Sequence, residues 1–312
     1  MKLNLPPLNP VHRKKNIRWI AKINDYLDSI GGSISNYSQC IEVGSIVKRH
    51  ISFRFNEELQ YEFQELKNIK NQIAKLNQKI SRLRGEYKKD WLAKQEKTET
   101  LDKIKKFAER LNRRHLNLID QQHYLSFNCR EITINSLSEA RAFGGVDLKY
   151  AEGYKNPKAA ESINNMCRYL PTSWLKSFRP IRASLAGRGF YRTETNRMSF
   201  VRTDNNVDCI ALHLMSHCVE SHIPKVLKLE KQFWESKRDG EFAWLGPPYR
   251  RSELGVKAKF RDRYLTKYDE AGLELLALVL PTIFHFDSFL TRRLILRDSQ
   301  LINFVYGLLV GV

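Results

Sequence analysis

Paired cysteines are missing from this chain. Its five cysteines (Cys40, Cys129, Cys167, Cys209 and Cys218) are odd in number and scattered, and none stands in a C-x-x-C pair. That excludes a disulfide framework and a zinc ribbon, and points to a reducing, cytoplasmic compartment. Long apolar runs are missing too. No segment reaches the ~18 apolar residues that a membrane span needs. The nearest, "LELLALVLPTIF", carries Glu274 and Pro281 and reads as a buried helix. The opening "MKLNLPPLNPVHRKK" has no apolar core and is not read as a secretory signal. There is no P-loop and no G-x-G-x-x-G, and "AGRGF" lacks the Lys-Ser/Thr of a phosphate loop. Homeodomain, zinc-finger and RNP signatures are absent, as are internal repeats.

Acidic charge is also scarce. Against 53 Lys and Arg stand 34 Asp and Glu, for a net charge of +19. Such a field attracts polyanions: nucleic acid, acidic protein or anionic lipid. Hydrophobic residues make up 42% of the 312, enough for a sizeable core and two structural units.

Residues 1–16 form a Pro-rich basic arm. A short helix, "IRWIAKINDYLDSI", a Gly-Gly break and a strand-like run, "GSIVKRHISFRF", follow. From Leu59 through Phe63, Leu66, Ile69, Ile73, Leu76, Ile80, Leu83 and Tyr87 to Trp91, apolar residues recur every three or four positions. A second stripe runs from Leu101 to Leu118 after a polar break. The spacing predicts a long helical hairpin of coiled-coil type over 17–125, able to pair with a second copy of the chain. Lys75, Lys79, Arg82, Lys88 and Lys89 on its outer face are the candidate polyanion contacts. A mixed connector covers 126–167: "CREITINS" reads as a strand, and "INNMCRYLPTSWLKSF" as a helix broken at Pro171.

Chemistry-bearing residues concentrate further on. "GFYR" and "RMSFVR" flank the polar turn "TETN" as a hairpin. Val207 to Val219 then continues as a helix. On it Cys209, His213, His217 and Glu220 lie near one face, and imidazoles at i and i+4 converge on one cation. A third ligand must come from elsewhere. Glu274, in the oily run Tyr268 to Pro281, needs a partner such as a cation or a hydrogen-bond donor if buried, because an unpaired buried carboxylate costs several kcal/mol. Cys209 is either a soft fourth ligand or a structural thiol. Ser216 beside His217 is no nucleophile pair, since adjacent helical side chains diverge.

From about residue 168 to the end, the order "YLPTSWLKSF", "RGFY", "RMSFV", "HLMSHCVE", "KFRDRYLTKY", "ELLALVLP" and "RDSQLINFVYGLL" resembles a zincin-like, metallopeptidase-type domain. That domain closes some phage head-morphogenesis proteins and related mobile-element proteins. The resemblance implies an α+β, mainly helical chain: the helical hairpin, then a zincin-like domain over 168–312 with a small antiparallel sheet. It makes His213, His217 and Glu274 ligands of Zn2+, Glu220 the trailing acid, and the strand from Arg188 through Tyr191 a wall of the substrate cleft. The departure is Leu214, where H-E-x-x-H carries its proton-shuttling Glu. Three readings follow: a pseudoenzyme-like metal-binding scaffold, an active metallohydrolase with Glu220 as an unusual base, and a nucleic-acid-binding protein using the basic hairpin.

Overall fold

A computed structural model describes residues 10–58, 64, 71, 78, 128–152, 156–186, 189–201, 206–245, 251, 253–260, 263–269, 272–284 and 298–312. The chain divides into two compact units: Met1–Ser52 with Arg130–Val312, and Phe53–Cys129. The described residues of the second unit are helical. Both apolar stripes, Leu59 to Trp91 and Leu101 to Leu118, and all five candidate polyanion contacts, Lys75, Lys79, Arg82, Lys88 and Lys89, lie outside the described residues. The described structure is mainly helical with small sheets.

α1 (Pro10–Ser29) lies in the first unit, where α2 (Tyr37–Glu58) also begins; between them stand Gly31 and Gly32, whose φ angles of 86° and 83° suit only glycine. The strand expected over 44–55 is part of α2. Local chemistry explains the correction. Asn36 Oδ1 accepts from Gln39 N at 3.1 Å while Gln39 Oε1 accepts from Asn36 N at 3.3 Å, a reciprocal cap that starts a helix. The buried positions then fall at Cys40, Val43, Val47 and Ile51, a helical interval. The strand read in "CREITINS" is likewise helical, within α3 (residues 128–140). Ile132, Thr133, Ile134, Ser136 and Leu137 are all buried, so burial on several faces imitated alternation.

Asn156 and Pro157 open α4 (Pro157–Cys167), and Pro171 opens the short α5 (Thr172–Lys176), as the break at Pro171 anticipated. β1 (Arg182–Leu185), β2 (Phe190–Arg192) and β3 (Arg197–Phe200) form one sheet in the order β1-β3-β2. β2 and β3 are the expected hairpin, with Asn196 at φ 46° in its turn. β1 pairs parallel to β3, so the sheet is mixed rather than antiparallel throughout.

The helix expected over Val207 to Val219 is α6 (Val207–His222), begun by Asn206 as its cap. It packs against α4 on one side. α7 (Pro224–Lys237) follows, then the hairpin β4 (Arg238–Trp244) and β5 (Leu254–Ala258). The run expected as a helix from Tyr268 splits. β6 (Tyr268–Asp269) and β7 (Gly272–Leu273) make a minimal hairpin, and α8 (Glu274–Ile283) starts only at Glu274. That split puts Glu274 in the first helical turn, where a carboxylate is favoured. α8 packs on α6 and on α9 (Ser299–Gly311).

α9 crosses α2 backbone to backbone. A Cβ on Gly44 would lie 1.6 Å from the Asn303 carbonyl oxygen, and one on Gly307 would lie 1.9 Å from that of Cys40. At the far end of α9, Arg141 donates to Leu309 O at 3.2 Å and to Val312 O, a cation placed at the negative end of the helix.

Candidate metal centre

The inner side of α6 is apolar. Leu212, Leu214, Met215, Cys218 and Val219 are buried, which fixes the helix against the core. His213 and His217, one turn apart, emerge beside the start of α8, with ring centroids 5.0 Å apart and rings nearly perpendicular at 84°. Glu274 Oε2 stands 3.5 Å from His213 Nε2 and 3.6 Å from His217 Nε2. One donor atom from each of the three residues lies within 4.8 Å of the others. Two ligands bonded tetrahedrally to zinc at about 2.0–2.1 Å sit roughly 3.3 Å apart. The observed separations are a few tenths of an ångström from that. Among the described residues this is the group of His, Cys, Asp and Glu side chains arranged to hold a cation.

Each imidazole is held by its other nitrogen. His213 Nδ1 donates to Ala277 O at 3.1 Å. In an unbroken helix that carbonyl would accept from the residue four ahead, which is Pro281 and has no N–H. The proline within α8 thus leaves an acceptor for His213. His217 Nδ1 donates to Glu220 Oε2 at 2.9 Å. Both rings therefore turn Nε2 toward Glu274, the orientation in which histidines bind metals.

Glu274 is buried. Lys267 Nζ donates to its Oε1 at 3.1 Å and lies 3.5 Å from Glu253 Oε1. Lys267 is positioned by a backbone bridge to Gly255, where a side chain would collide with Leu245 and Thr266. Glu274 Oε2, facing the imidazoles, makes no hydrogen bond. A buried polar atom without a partner costs about 1–3 kcal/mol, and more when charged. The imidazoles keep the site open to solvent: the side chains of His213 and His217 are 24% and 18% exposed, against 6% for Glu274.

Burial pushes His213 down to about 4, against the pull of Glu274. Burial also disfavours the charged form of His217, but the Glu220 and Glu274 carboxylates outweigh it and raise that imidazole well above its ordinary value. Glu274 goes the other way: burial would raise its carboxyl, yet His217, His213 and Lys267 hold it well below the carboxylate range.

Of the other candidates, Glu220 is 1% exposed, and its oxygens accept from His217 Nδ1 and from Leu273 N at 3.3 Å. It thus sits behind the His217 ring, on the side away from Glu274. The Tyr191 hydroxyl donates to Asn196 Oδ1 at 2.8 Å within its own hairpin, and Arg188 lies outside the described residues. Cys209 is half-buried and not in the cluster. Cys218 is buried among core residues, its thiol pushed by burial up to about 12. Ser216 Oγ donates to Leu212 O at 2.9 Å and is fully buried. His222 donates from Nδ1 to Cys218 O at 2.9 Å and accepts from Arg179 Nε at 3.2 Å. His285 lies outside the described residues. Trp234 is core, bonded to Leu265 O at 3.1 Å, whereas Trp244 is 43% exposed.

Sequence reasoning missed Lys267, the Ala277–Pro281 arrangement and Glu230. Glu230 Oε1 accepts from Leu276 N at 2.8 Å. A signal was present: in α7 Glu230 falls among Val226, Leu229, Phe233 and Trp234, the buried stripe of that helix. Comparison of the chain with known protein families, curated proteins and solved structures finds no match.

Proposed function

We propose that this protein holds one Zn2+ through His213 Nε2, His217 Nε2 and Glu274 Oε2. In this reading the site is a zincin-like metal centre serving binding or scaffolding rather than peptide hydrolysis. The carrying observation is Glu274 Oε2: buried, without a hydrogen bond, and 3.5 and 3.6 Å from two ring nitrogens whose opposite nitrogens are already engaged. Zinc suits two imidazoles and a carboxylate, and when bound it supplies Lewis acidity at the solvent-facing side of the site. The metal would then take the place of the His217 proton as the cation facing Glu274 Oε2.

The proton-shuttling carboxylate of H-E-x-x-H is Leu214 here, a core residue 2% exposed. General acid–base help is worth about 10²–10⁴-fold, and leucine offers none of it. Glu220 does not replace it in this reading, because its oxygens serve His217 and the start of α8. The order of elements after residue 168 supports a phage or mobile-element setting, and the net charge of +19 supports a polyanion as partner.

Metal analysis of the purified chain, followed by calorimetric titration with zinc, tests this. One zinc per chain is expected, with binding lost in His213→Ala, His217→Ala and Glu274→Ala. A chain that takes up no zinc above background removes the reading.

A further inference from the structure

We infer that Glu230 is a positioning residue of the metal centre: from α7 it anchors the start of α8, and so sets where Glu274 stands against His213 and His217. This rests on the metal-site reading above.

A helix start leaves its first amide hydrogens without partners. Usually the N-cap side chain takes the N–H three residues on, and a Glu or Gln there reaches back to the N–H of the cap. At α8 the cap position is Leu273, which has no oxygen to offer. Both tasks are done from outside. Glu230 Oε1 on α7 takes the Leu276 N–H at 2.8 Å, the bond that a capping Ser or Asp would make. Glu220 Oε1 on α6 takes the Leu273 N–H at 3.3 Å, the bond that a glutamate at Leu276 would make.

A local cap would hold α8 together but leave it free to shift against its neighbours. A cap supplied by α6 and α7 ties the first turn of α8, where Glu274 sits, to the helix that carries His213 and His217. Glu220 uses its remaining oxygen on His217 Nδ1, so one side chain serves both the third ligand and the second imidazole. Burial, with the nearby Glu220 charge, pushes the Glu230 carboxyl well above the carboxylate range. Glu230 is fully buried, and no water-facing route replaces these bonds.

The full chain is titrated with zinc by calorimetry and with Co2+ by visible absorption, beside metal-free melting curves, for Glu230→Gln, Glu230→Asp and Glu230→Leu. Glutamine keeps an acceptor for the Leu276 N–H and should retain the parent affinity and Co2+ spectrum. Leucine should lose about 10–100-fold in affinity, the range for groups that orient a metal ligand, with an altered spectrum. Aspartate falls short of the Leu276 N–H and should show the same loss if the leucine variant does not fold. Folded leucine or aspartate variants with the parent's affinity and spectrum, even with a lower Tm, would overturn the positioning role and leave the metal site standing. A parent chain that binds neither metal overturns both.

Discussion

The Ala277 carbonyl accepts its hydrogen bond from His213 Nδ1 at 3.1 Å, across the contact between α8 and α6. It does so where α8 carries Pro281 in place of an amide donor. Backbone chemistry on one helix thereby orients a ligand on another.

Pro281→Ala returns an N–H that competes for this carbonyl. A hydrogen bond is worth about 0.5–1.5 kcal/mol net. Zinc affinity should therefore fall by roughly two- to tenfold, while the metal-free Tm holds or rises. Unchanged affinity in calorimetric titration would show that the carbonyl serves both donors.

Zinc uptake should depend steeply on pH. Glu220 and Glu274 hold the His217 proton in place above the imidazole's ordinary range. Below that raised pKa the metal must displace one proton, so apparent affinity should rise about tenfold per pH unit and level off above it. Titrations in buffers of different ionisation enthalpy would count the proton released. Affinity flat from mildly acidic to mildly alkaline pH would contradict the His217 assignment.

Leu214→Glu restores the H-E-x-x-H pattern inside the core. A buried carboxylate costs several kcal/mol, so the metal-free Tm should drop. If the zincin reading holds, the folded zinc-loaded variant gains chelator-sensitive peptide hydrolysis and Leu214→Gln does not. A folded, loaded Leu214→Glu chain with no hydrolysis would count against that reading.

Gly44→Ala places a methyl 1.6 Å from the Asn303 carbonyl oxygen, so α2 and α9 must separate. Overpacking of this kind costs typically about 1–3 kcal/mol, seen as a lower Tm and denaturation midpoint. Zinc stoichiometry should stay at one per chain, because the crossing involves neither α6 nor α8.

Lys75, Lys79 and Arg82 belong to the basic run expected to meet a polyanion. Reversing all three charges should weaken nucleic-acid binding and flatten its salt dependence, because fewer counterions are released. Binding that is absent, or indifferent to salt, would remove nucleic acid as the partner.

Much of the site was legible because helical spacing is a local property. His213 and His217 fall four apart, so any α-helix brings them together, and the turn "TETN" between apolar runs announced its hairpin. Glu274 stood out as a charge in an oily run. What misled was residue type: the β-branched residues of "GSIVKRHISFRF" and "CREITINS" suggested strands, yet both lie in helices, the first begun by the Asn36 cap and both with burial that outweighs intrinsic preference.

The amino-acid order alone thus determined which side chains share a helix face, where the chain turns and how strongly cationic it is. Each of these follows from a few neighbouring residues. Tertiary structure alone decided that Glu274 meets the two imidazoles, that Glu220 and Glu230 cap a helix not their own, and that Pro281 frees a carbonyl for His213. Those relations join segments distant in sequence. They exist only because burying the apolar faces of α6, α7 and α8 against one another leaves their few polar groups no partners but each other.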